Sequence, residues 1–163
     1  MRNFKPVLSM IIIVILSACT VGVNKDLLSG LSYSYKGLSV EDAYLTLDNE
    51  KYNSNEVEYG KKVFIVLNGV EGYVLEEGKA KIGCKIEVKD SEGNVVLSAD
   101  DAFAAYSNEG IDPKQAEILN ISLTIGSPLE ADKEYDWEAL FWDKNGEGTI
   151  NTKIKVKVVP ESE

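Results

Sequence analysis

Side chains able to do chemistry are few in this chain, and most of them are carboxylates. No His occurs, Arg2 is the single Arg, and 27 Asp and Glu stand against 17 Lys and Arg. Without imidazole, the common nucleophilic triads and histidine metal sites drop out. With no guanidinium beyond Arg2, bidentate clamping of phosphate or carboxylate drops out as well. Two-carboxylate glycoside hydrolysis stays open, because it needs only a correctly spaced acid pair. Adjacent acids such as Glu76-Glu77 and Asp100-Asp101 carry no specificity in so acidic a composition. There is no glycine-rich phosphate loop and no cysteine metal spacing, so no cofactor is implied. The formal charge of −10 argues against nucleic acid and anionic headgroups as partners.

Cys84 shares its parity with Ile82 and Ile86, which makes it a small core residue with no base beside it. The metal candidate is Asp143, Asn145 and Glu147, in a run that overlays the front half of an EF-hand loop at positions one, three and five. Gly148 falls at position six and Ile150 at position eight, but position twelve is Ile154 instead of the bidentate Glu. Asp, Asn and Gly also favour tight turns for their own reasons. A hairpin turn is the expected reading, with no metal assigned.

The N-terminus is the most informative stretch. Met1 to Lys5 forms a basic segment, and the ten residues Val7 to Leu16 form an apolar run. That run is half of the roughly 20 residues a spanning helix needs, and it suits an export signal. It ends in Leu16-Ser17-Ala18-Cys19, which closely resembles the lipobox of bacterial lipoproteins. The resemblance implies cleavage before Cys19, thioether lipidation of its sulfur and acylation of its new amino group, palmitate being the expected acyl. Two or more acyl chains make anchoring effectively stable. The expected location is therefore exported and lipid-anchored, to the cell membrane or the outer membrane. Thr20 in place of Asp leans toward the outer membrane by the enteric sorting rule that the resemblance brings with it.

Residues 1–18 are thus read as the signal peptide and 19–37 as the lipidated Cys and a tether. The tether is rich in Ser, Gly, Asn and Tyr, with Leu27, Leu28 and Leu31 docking on the domain as the alternative. From residue 38 to 163 the period is two. Alternation marks strands at Ala43 to Leu47, Lys79 to Lys89 and Leu119 to Ile125. Val63 to Leu67 is a continuous apolar run expected of a strand covered on both faces. Val95 to Leu97 returns after the turn Asp90 to Asn94, and Glu134 to Trp142 and Thr149 to Val159 close the chain. A turn or two of helix is expected at Asp112 to Ala116, with Asp112 capping and Pro113 first. Seven strands and no amphipathic helix predict an all-β, antiparallel, immunoglobulin-like sandwich. It resembles the small exported lipoproteins with one such domain.

The last two strands specify their own register. Placing Trp142 opposite Thr149 sets Glu138, Asp136 and Glu134 against Lys153, Lys155 and Lys157 on one face. Trp137, Tyr135 and Phe141 then meet Ile154, Val156 and Ile150 on the other. Leu140 and Trp142 fall on the charged face and form the candidate contact patch, unless the loop Ala104 to Lys114 covers them. The expected function is a non-enzymatic binding or assembly module for a protein or glycan of the cell envelope. The alternatives are a carboxylate-based hydrolase of envelope polysaccharide, which needs two acids converging in a cleft, or a sandwich-type inhibitor of secreted proteases, which needs a projecting loop.

Overall fold

The computed structural model describes residues 20–161, so the expected signal peptide and Cys19 lie outside the described residues. Eleven strands form two sheets. They are β1 Val21–Lys25, β2 Ser32–Lys36, β3 Asp42–Leu47, β4 Glu50–Tyr52, β5 Glu56–Glu58, β6 Lys62–Asn68, β7 Ile82–Lys89, β8 Val95–Ala99, β9 Ile118–Thr124, β10 Glu134–Asp143 and β11 Thr149–Val159. The larger sheet runs β1-β2-β11-β10-β7-β8, with β5 parallel to the end of β11, and the smaller runs β4-β3-β6-β9. β3-β6-β9 facing β11-β10-β7-β8 is the strand arrangement of an immunoglobulin-like sandwich. All seven expected strands belong to that frame. The four additional ones are β1 and β2, which carry tether-like composition, and β4 and β5, which are only three residues long.

Residues 20–37 are therefore no tether. β1 and β2 form a hairpin, and β2 pairs with the first half of β11. Leu31 is fully buried and fastens it, whereas Leu27 and Leu28 stand exposed at the turn. Asp26 shapes that turn, its carboxylate accepting from the Leu28 amide and the Ser29 hydroxyl.

The core follows from parity. Ala43, Leu45, Val63, Ile65, Leu67, Leu119, Ile121 and Leu123 of the small sheet face Trp137, Phe141, Ile150, Ile154, Val156 and Val88 of the large one. β6 is covered on its inner face only. Phe64 and Val66 are half-exposed, sharing the outer face with Tyr44 and Thr46 on one side and Asn120 and Ser122 on the other. Its apolar run reflects central position in the sheet, not a third layer. The expected helix is α1, Pro113–Ala116, with Asp112 accepting from the Lys114 amide at 3.0 Å.

Two polar atoms are buried without a hydrogen-bond partner among the described residues, Trp137 Nε1 and Thr152 Oγ1. An unpaired buried hydroxyl costs about 1–3 kcal/mol by protein mutational data. Thr152→Val keeps the shape and removes the hydroxyl. We expect it to raise the unfolding free energy by about 1 kcal/mol, measured as an increased denaturant midpoint with an unchanged slope.

Candidate functional site

The outward side chains of the large sheet line up in cross-strand rows. One row runs Val23, Ser34, Asn151, Leu140, Lys85 across β1, β2, β11, β10 and β7. The next runs Lys25, Ser32, Lys153, Glu138, Glu87. Between them lies an open groove of about 450 Å3. Its floor is β-sheet backbone, the Ser32, Ser34 and Asn151 side chains give it neutral hydroxyl and amide, and Lys153, Glu138, Glu87 and Lys85 charge it from β11 to β7.

The charges are paired. Glu138 receives Lys153 and Lys89, each at 2.7 Å, and Glu87 receives Lys85 at 2.8 Å and Lys89 at 3.2 Å. Glu138 and Glu87 face each other in register, and their mutual repulsion is offset by the Lys89 ammonium between them. Bonds from Lys153 and Lys89 hold the Glu138 carboxyl below its ordinary value, and bonds from Lys85 and Lys89 do the same for Glu87. Both acids are thus held ionised.

A carboxyl depressed in the folded state contributes stability above its unfolded pKa, and loses it as pH falls through the folded one. Glu138 starts from 4.5. Wild type should therefore lose stability relative to Glu138→Gln as pH drops below that value, with the difference largest at neutral pH. Melting temperatures of the two proteins from pH 7 to 3 check this, and parallel curves contradict it.

The C-terminal hairpin has the expected register at every pair, Glu134 opposite Lys157 through Trp142 opposite Thr149. One ammonium is redirected. Lys157 bonds Glu56 of β5 at 2.7 Å instead of Glu134, because the parallel strand brings that carboxylate alongside.

Leu140 and Trp142 are both half-buried on the outward face of β10. Leu140 is half-buried in the groove. The Trp142 ring packs in the space left by Gly83, where a Cβ would collide with it. Lys144 Nζ sits 5.9 Å from the ring centroid and is itself held by Asp101 and the Ser107 hydroxyl. Lys144 thus links the 101–107 loop to Trp142. Burial works against the Asp101 charge, but Lys144 and the Cys84 and Phe103 amides outweigh it and keep the carboxyl below its usual value.

Cys84 is fully buried, and burial followed by the nearby Asp101 charge pushes its thiol up to about 12. It is a core residue. Asp143 is buried, and its two carboxylate oxygens accept from the Val74 amide at 2.7 Å and the Asn145 amide at 3.0 Å. Asn145 Nδ2 donates to the Val74 carbonyl at 3.2 Å, while Glu147 is exposed. These residues clamp the 71–75 segment to the β10–β11 turn. No group of three or more Cys, Asp or Glu placed to hold a metal occurs among the described residues.

Sequence reasoning missed Ser32, Ser34 and Asn151 as groove residues. The outward parity of Lys85 and Glu87 was legible, but not the neighbour that would complete the site.

No family model matches the chain. No curated protein matches it. Among solved structures, it is similar to the crystal structure of the C-terminal domain of wzt, with a TM-score of 0.46 and 10% identity over 91% of this chain and 81% of that one.

Proposed function

We propose that this protein is an exported lipoprotein anchored through Cys19, acting as a non-enzymatic binding or assembly module for a protein or glycan of the cell envelope. The observation that carries the binding reading is the groove on the large sheet. A neutral hydroxyl and amide centre, flanked by Val23 and Leu140 and bounded by satisfied ion pairs, suits recognition through hydrogen bonds and apolar contact. Glu87 and Glu138 are the two acids that line the groove. Held ionised by three lysines, neither has a proton to give a leaving oxygen, which favours binding over glycoside hydrolysis.

A photo-crosslinking residue placed at Asn151 in living cells tests this. Covalent adducts are expected from Asn151 and not from Ser122, which is exposed on the outer face of the opposite sheet. Protease or glycosidase digestion of the adduct then distinguishes a protein partner from a glycan. Equal labelling from the two positions would contradict the groove as the binding face.

A further inference from the structure

The point where the chain joins the fold is closely tied down. The Gly37 amide donates to the Thr20 carbonyl at 2.9 Å, and β1 begins at the next residue. Gly37 in turn lies against two loops. A Cβ on Gly72 would come within 2.9 Å of the Gly37 carbonyl oxygen, and one on Gly37 within 3.1 Å of the Gly148 Cα. Gly37 and Gly72 both have positive φ, so side chains are excluded there by conformation as well as by space. Asp143 then ties the Val74 amide to the β10–β11 turn. Thr20, the 71–75 segment and that turn consequently make up one end of the sandwich.

Three large apolar side chains stand exposed at this end, Val21 at 65%, Val74 at 51% and Leu75 at 47%. They are held by strand pairing or by the Asp143 clamp. Cys19 lies two residues before Val21, about 8 Å away at most by chain geometry (two Cα steps of ~3.8 Å). A lipid on Cys19 has no slack segment behind it with which to lift the domain off a membrane. We infer that this end is a bilayer-facing surface, with Val21, Val74 and Leu75 seated in the interfacial layer around the anchor. The inference rests on Cys19 being lipidated, as proposed above. Exposed Glu71, Glu77 and Glu147 share the end, Glu76 is paired with Lys81, and exposed Lys36 stands opposite Val21. Among the described residues there, acids thus outnumber the one free-standing lysine, and the surface suits a zwitterionic bilayer better than an anionic one. β11 runs away from it, and the β1–β2 turn with Leu27 and Leu28 sits at the other end of the hairpin.

The test uses the full-length lipoprotein in phosphatidylcholine vesicles, with an environment-sensitive label on Val74→Cys, Leu75→Cys or Leu28→Cys. Buried Cys84 stays unlabelled. Acylation of Cys19 is read first, by mass, in each preparation. With nitroxide-bearing lipid, labels at 74 and 75 should lose most of their emission and the label at 28 should keep it. Unquenched labels at 74 and 75 on acylated protein overturn the inference while leaving the anchor intact. An unacylated Cys19 overturns the anchor, and the inference with it.

Discussion

Trp137→Ala should lower the unfolding free energy by about 3–5 kcal/mol, the range for removing a large buried aromatic. Trp137 is completely buried, lies on central strand β10, and pairs with Ile154 on one side and Val88 on the other. Its loss opens a cavity lined from both sheets, which the rigid frame closes only in part. Against a typical domain stability of about 5–15 kcal/mol, that is a large fraction. The indole N–H has no partner among the described residues, so part of the ring's packing gain is already offset by an unpaired donor. Trp137→Phe should therefore cost markedly less than Trp137→Ala, since it keeps an aromatic ring and removes the orphan donor. Denaturant unfolding of the three proteins measures both differences. A Trp137→Ala protein within about 1 kcal/mol of wild type would contradict the burial on which the sandwich depends.

The second large effect is expected at Leu31. Leu31→Ala should cost about 2–5 kcal/mol if the hairpin folds with the rest, because its side chain is fully buried where β2 begins. Leu28→Ala, three residues away and 68% exposed, should change stability by no more than about 0.5 kcal/mol. Amide hydrogen exchange adds a local readout. Protection of β1 and β2 should fall in Leu31→Ala and stay unchanged in Leu28→Ala. Equal and negligible effects at the two leucines would mean that residues 20–37 behave as a tether after all.

These two residues also mark what was legible in the sequence. Trp137 was placed in the core from its neighbours alone. β10 alternates acid with apolar from Glu134 to Ala139 and β11 alternates Lys with apolar from Lys153 to Val158, so a one-residue slip would bury charge. Cys84 and the Asp112 cap followed from equally local rules of parity and capping. Residues 20–37 were misleading because Ser, Gly and Asn favour loops, and a five-residue strand carries little period-two signal. What makes them strands is the free edge of β11, more than a hundred residues later in the chain. The groove was hidden for the same reason. Its residues run from Val23 to Lys153 and meet only through strand order. Lys157 shows the limit at a single side chain. Its backbone partner was predictable, but its ionic partner Glu56 arrives on a three-residue parallel strand with no sequence signature.

The lipid anchor proposed for Cys19 underlies both the proposed location and the bilayer-facing end. It is tested most directly by the mass of the N-terminal peptide of the mature protein from its native membrane. The account predicts a peptide that begins at Cys19 and carries a diacylglyceryl thioether and an N-linked acyl chain. A Cys19→Ser protein should correspondingly keep its signal or be recovered in soluble form. A mature N-terminus elsewhere, or a Cys19 with an unmodified thiol, would contradict the account.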